Sequence, residues 1–249
     1  MRTIISITFI LATCIGYCQS DSLEVFKKFS IGINYSIDQT FRVLKISDAV
    51  NSLAVKDSRD ETEEPSINYT VGLSFNYYLN KKINIEITTL YAQTGYQRKE
   101  STLTFGNLQD PRRGFSVDFS NPPLTERLIV KQNYLSIPVK IRAFLIGSKL
   151  KLFLEGGFST DIYLRRRLEY QWTLKNGEKK SISENGAGGN MNRINMAIVL
   201  GVGVEYALKN RCFLRLNPIY RRSINQISDW VNKEYRYSFG LNVGVFYMF

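Results

Sequence analysis

Histidine is absent from all 249 residues. That removes the commonest general base at neutral pH, the serine–histidine–aspartate triad and most zinc chemistry. A hydrolase built on carboxylates alone is the enzymatic route left open, and the chain reads as a non-enzyme that needs no cofactor. Cysteine is nearly absent too. Of three cysteines, Cys14 and Cys18 lie in the leader, which leaves Cys212 alone and excludes an internal disulfide in the exported chain. Long apolar runs are missing as well. No stretch approaches the roughly 20 residues that a membrane helix requires. "GAGG" at 186–189 lacks the Lys-Ser/Thr and the strand–loop–helix context of a phosphate loop.

What is present begins with "MRTIISITFILATCIGYCQS". Arg2, the short apolar stretch from Ile4 to Ala12 and the small residues after it predict a cleaved secretory signal over 1–18. A short lead over 19–27 and one domain over 28–249 follow. Cleavage would remove one basic residue and leave a net charge of +10. The exported chain is rich in Tyr and Phe; the whole sequence has 15 of each.

Its dominant signal is a period of two. At the C-terminus Leu241, Val243, Val245, Tyr247 and Phe249 share one row, while Asn242, Gly244, Phe246 and Met248 share the other. The same alternation runs through 29–38, 67–79, 83–96, 128–145, 150–164, 194–207 and 212–221, which makes eight strands. "NKK" at 80–82, "IGSK" at 146–149 and "KNR" at 209–211 predict tight hairpins. The alternate connections, about 39–66, 97–127, 166–193 and 222–234, predict long loops. Among them "DSRDETEEPS" at 57–66 reads as a solvated, mobile acidic loop.

Alternation does not say which row is dry. In a soluble lipocalin-type barrel the apolar row points inward, and in a membrane barrel outward. Here the second row carries Glu86, Lys140, Arg142, Lys151, Glu155, Glu205 and Arg215, too polar for a soluble core. The strands reach the 9–11 residues of a tilted membrane strand, and aromatics gather toward strand ends. The expectation is therefore an all-β, eight-stranded, antiparallel up-and-down transmembrane barrel. It has short periplasmic turns and four long extracellular loops, and lies in the bacterial outer membrane. The last strand then closes on the first, which accounts for a chain that stops on an aromatic.

"NYLSIPVKIRAF" at 133–144, "IEITTLYAQTGYQ" at 85–97 and "LKLFLEGGFSTDIYL" at 150–164 carry a resemblance. The chain resembles the PorT-like outer-membrane β-barrel family, small barrels of Gram-negative bacteria. The resemblance covers nearly all of the exported chain. It implies a tolerated bulge or kink at Pro138. It also implies that the terminal aromatics, Tyr247 and Phe249, are offered to the barrel-assembly machinery.

Two groups of charged residues stand out. Glu86, Glu155 and Glu205 lie at about the same depth as Lys140, Arg142 and Arg215, near the short turns. Three acids and three bases in one layer predict an interior ion-pair network, because an eight-stranded barrel is filled by side chains. Its functional alternative is a proton or ion path. Arg112, Arg113, Arg165, Arg166, Arg167, Arg221 and Arg222 cluster at the long-loop end. They predict contact with anionic headgroups, including lipopolysaccharide, or with an anionic external ligand. The functional expectation is a closed scaffold that presents loops for binding or adhesion. The alternatives are an accessory subunit of a secretion or envelope-assembly complex, with an envelope protein partner, and a small pore. Nucleic acid is not expected as a partner.

Overall fold

A computed structural model of the protein describes residues 27–45, 52–103, 121–186, 191–209, 211–228 and 233–249. The predicted signal over 1–18, Asn210 of the third predicted hairpin, Arg112, Arg113 and most of "GAGG" lie outside the described residues.

Ten strands and one helix are present in chain order. They are β1 (Phe29–Lys45), α1 (Ser52–Thr62), β2 (Glu63–Tyr78), β3 (Ile83–Arg98), β4 (Ser101–Thr102), β5 (Pro123–Ile146), β6 (Leu150–Leu174), β7 (Lys179–Gly186), β8 (Ile194–Lys209), β9 (Cys212–Ser223) and β10 (Lys233–Met248). Eight of them, β1, β2, β3, β5, β6, β8, β9 and β10, pair in sequence order, and β5 also pairs with β6. β1 pairs with β10 from Ser30↔Met248 to Lys45↔Lys233. The ring is closed, all of it antiparallel, so its ladders leave no edge strand. β4 and β7 are extra strands on the outer ends of β5 and β6.

Alternation dictates the faces. β1 reads exposed–buried for its first twelve residues. Ile31, Ile33, Tyr35 and Ile37 on β1 are exposed, as are Met196, Ile198, Leu200 and Val202 on β8 and Leu152, Leu154 and Phe158 on β6. The buried row is polar: Ser30, Asn34, Ser36, Asp38 and Thr40 on β1 alone. A continuous apolar belt on the outside and a polar inside is the inverse of a water-soluble domain, and fits a barrel wall in hydrocarbon. Stacked aromatics bound the belt. Phe41 lies over Tyr237, with ring centres 4.8 Å apart, at one end. Phe29 packs on Tyr77 at 5.2 Å at the other. Among the described residues no helix is long and apolar enough to cross a membrane; the strands cross it instead.

The predicted loops need correction. Strands β5 and β6 continue far past the belt, to Pro123 and Leu174, and β6 turns back as β7. The stretch 57–66 is not a loop: it forms most of the second half of α1 and the first residues of β2. Three of its five acids form ion pairs: Asp60 with Lys56, Glu63 with Arg42 and Glu64 with Arg127. Pro138 also differs from expectation. The β3–β5 ladder lapses between Ile87↔Val139 and Leu90↔Ser136, then resumes in the same register, with no bulge. The missing proline N–H removes a ladder bond without displacing the strand.

Candidate functional site

The interior is built in layers from the turn end upward. At the bottom Tyr78, Phe144, Phe153, Phe213 and Phe246 form an aromatic plug. These residues sit on the polar row, and row parity alone would have made them polar: Phe153 lies between Lys151 and Glu155. Glycine makes the room. A Cβ on Gly203 would stand 2.6 Å from Phe153 Cζ, and one on Gly32 would run into the Phe246 ring.

The six predicted charges lie directly on this plug. Cross-strand register brings them together: Glu86 is opposite Lys140, Arg142 opposite Glu155, and Glu205 opposite Arg215. Lys140 Nζ lies 2.7 Å from Glu86 Oε1 and 3.0 Å from Glu155 Oε1. Arg142 Nη2 bridges Glu86 Oε2 at 3.0 Å and Glu155 Oε2 at 2.5 Å. Arg215 reaches Glu86 Oε2 at 2.5 Å and Glu205 Oε2 at 3.0 Å. Lys151 stands further off, 4.0 Å from Glu205 Oε1. Asn76 and Asn217 complete the shell, accepting from Arg142 and donating to Glu155. The guanidiniums also cover the plug: Arg215 Cζ is 4.0 Å from the centre of the Phe246 ring. Three acids and three bases, all buried, thus compensate one another in a medium that would penalise any one alone.

Above lies a band of Asn34, Ser74, Thr88 and Asn242, then two further ion pairs. Arg221 Nη1 donates to Asp38 Oδ1 at 2.7 Å, and Arg236 Nη2 to Asp161 Oδ2 at 2.9 Å. Ser36 and Ser159 donate to the same two carboxylates. The cavity between these pairs holds about 30 Å³, with about 10 Å³ more below it. Among the described residues these two spaces have room for single waters.

The predicted arginine belt divides. Arg165, Arg167 and Arg222 are exposed on the outer face. Arg166 and Arg221 turn inward, Arg221 to Asp38 and Arg166 to Tyr96, so these two are corrected from belt to interior. The cause for Arg166 is a bulge. Asn133 pairs with Arg165 but the next residue, Tyr134, pairs with Tyr163, so Leu164 is skipped. One extra residue inverts the inward row beyond it. Outside the belt Lys131 pairs with Glu169 at 2.8 Å, which holds the Glu169 carboxyl below the usual range.

Sequence reasoning missed Asp38, Asp161, Arg236, Arg42, Glu63 and Glu234. The first three lie on the polar row and were findable by parity. The others sit in segments whose sequence predicts loops. Cys212 is buried beside its turn.

Comparison with known proteins gives this geometry a context. The family described as outer membrane protein beta-barrel domain matches residues 18–242. Among curated protein sequences none matches the chain. Among solved structures, Neisserial surface protein A is 14% identical, covering 89% of this chain and 97% of its own, with a TM-score of 0.45. Ail, the attachment invasion locus protein of Yersinia pestis, is 12% identical over 89% and 99%, with a TM-score of 0.38. The outer membrane protease OmpT of Escherichia coli is 10% identical over 93% and 99%, with a TM-score of 0.43.

Proposed function

Because the chain belongs to the outer membrane protein beta-barrel domain family and is an outer-membrane barrel, we propose that it works as a closed, non-enzymatic scaffold whose extracellular end binds external ligands. One observation carries this reading. The interior is filled by the aromatic plug and the charge layer, while the strands rise well past the apolar belt on the long-connection side. What is specific to this chain is then presented to the outside. The absence of histidine supports the non-enzymatic part.

The lipid partners follow from the same surface. Acyl chains meet the apolar belt, and the outward Arg165, Arg167 and Arg222 meet headgroup phosphates, lipopolysaccharide included. Tyr247 and Phe249 serve the barrel-assembly machinery. The kinship with PorT-like barrels belongs to this proposal and rests on the Tyr134-Leu135-x-Ile137-Pro138 strand. β7 supports a second reading. Among the described residues it pairs only with β6, and a projecting strand with a free edge suits docking of an envelope protein partner. Stoichiometric co-purification of such a partner with the intact protein, lost when 175–186 are replaced by a short turn, would favour an accessory subunit.

The test of the main reading has two readouts. Unboiled protein from outer membranes is expected to run faster on a detergent gel than boiled protein and to resist carbonate extraction. In planar bilayers it is expected to be electrically silent. Discrete conductance steps that change in Glu86→Gln would replace the scaffold with a pore.

A further inference from the structure

The extracellular mouth of the barrel gathers three guanidiniums about the Tyr96 ring, those of Arg42, Arg166 and Arg59, with Arg98 within electrostatic reach of Arg59. Arg42 comes from β1, Arg98 from β3, Arg166 from β6 and Arg59 from α1. The Arg42 guanidinium stacks 3.8 Å from the centre of the Tyr96 ring. Arg166 Nη2 donates to Tyr96 Oη at 3.4 Å. Arg59 is half-buried within electrostatic reach of Arg42, Tyr96, Glu234 and Arg98. Burial first, and the Arg42 charge next, push its pKa down.

Among the described residues the carboxylates here do not balance these charges. Glu63 and Glu234 both engage Arg42. Among the described residues no ion pair is formed by Arg59, Arg98 or Arg166, and the buried Nε of Arg166 has no acceptor. Among the described residues, four cations here against two anions leave a surplus of about two charges in a partly desolvated space. Like charges held close repel, and a surplus of this kind is stable where an anion completes it. The planar forks of arginine match tetrahedral oxyanions better than any other side chain.

We propose that this arginine cluster is a binding site for a phosphoryl or sulfuryl group presented at the mouth of the barrel. The inference rests on the surface-binding reading above and names the chemistry of its ligand. Arg59 makes the site adjustable, because it stands on α1 rather than on the barrel wall.

The test titrates the full exported protein, folded in a non-ionic detergent, with inorganic phosphate and separately with sulfate, by calorimetry. Saturable binding is expected for the parent protein. It should weaken about tenfold, equivalent to about 1.4 kcal/mol, in Arg59→Gln and in Arg166→Gln. Lys175→Gln, in the exposed β6–β7 turn, should leave it unchanged, and Arg166→Lys should recover part of the loss. Gel mobility without boiling shows which variants are folded, and Arg59→Gln tests the site even if changes in the wall disturb folding. Absence of saturable binding, or equal binding by Arg59→Gln and parent, overturns the proposal. Phosphatidic acid in mixed micelles then separates the sources: competition with phosphate identifies a lipid headgroup as carrier, and no competition identifies a soluble one. Binding lost only in Arg165→Gln/Arg167→Gln would move the site to the outer face and overturn the mouth assignment. Failure of the titration leaves the silent, heat-modifiable scaffold standing, whereas a conducting barrel removes the scaffold whatever the titration shows.

Discussion

Arg142→Met is expected to destabilise the folded barrel by about 3–5 kcal/mol, the usual effect of removing one partner from a buried charge network. Arg142 is fully buried and bridges Glu86 and Glu155. Without it, Lys140 remains as a partner of both carboxylates and Arg215 of Glu86 alone. Glu155 loses most, because two nitrogens of Arg142 bond its Oε2. Removing the charges together should behave differently. The triple variant Arg142→Met/Glu86→Gln/Glu155→Gln takes out one cation and two anions, and leaves Lys140 and Arg215 to be carried by Glu205 and the amides. Adding Lys140→Met restores balance, and this fourfold variant should recover much of the lost stability, since well-packed neutral residues often replace a buried ion network at little loss. Urea unfolding of protein refolded into lipid vesicles, followed by the heat-modifiable band, measures both. A single variant as stable as the parent would mean that water reaches the layer and screens it.

Leu200→Arg is expected to destabilise the barrel by about 2–4 kcal/mol, and Ile194→Arg by only about 0–1 kcal/mol. Both residues are exposed on the outer row of β8, Leu200 near the middle of the apolar belt and Ile194 at its rim. In lipid the charge at mid-belt has no water to reach, whereas an arginine at the rim can extend to headgroups. The depth dependence is the decisive part. In a water-soluble barrel both positions would be surface, and both substitutions would fall within about 0.5 kcal/mol of the parent. The same unfolding assay in vesicles gives the comparison.

Much of the wall was legible in the sequence because side-chain alternation is a property of the strand itself. Each of the eight alternating segments became a barrel strand, and the short turns at 80–82 and 146–149 join them as read. The apolar row faces outward along the first twelve residues of β1. Strand ends were less legible. Beyond the belt, β5 and β6 lose their apolar outer row, so Pro123–Arg127 and Glu169–Leu174 looked like loop although their backbones stay paired. There the ladder, and not burial in lipid, holds the strand. The helix at 52–62 was hidden for a related reason: it has no long apolar stripe, and its acidic C-terminal end runs straight into β2.

The charge layer shows where the sequence stopped. Depth along each strand follows from counting residues from a turn, and it placed Glu86, Lys140, Arg142, Glu155, Glu205 and Arg215 at one level. Which acid meets which base depends on register between strands, and on how far each side chain crosses the lumen. Arg215 on β9 reaches Glu86 on β3, 129 residues away in the chain. Local pattern cannot encode a contact across the barrel. The three consecutive arginines 165–167 make the same point. Unbroken alternation beyond Tyr163 would have sent Arg165 and Arg167 inward and left Arg166 outside. The bulge that skips Leu164 against β5 reverses this and delivers Arg166 to Tyr96. By itself, then, the sequence determined the eight strands, their two faces and the depth of their charges, because these follow from a period of two and the distance to a turn. The tertiary structure alone decided the partners of those charges and the arginine cluster at the mouth, because both depend on cross-strand register and on a single inserted residue.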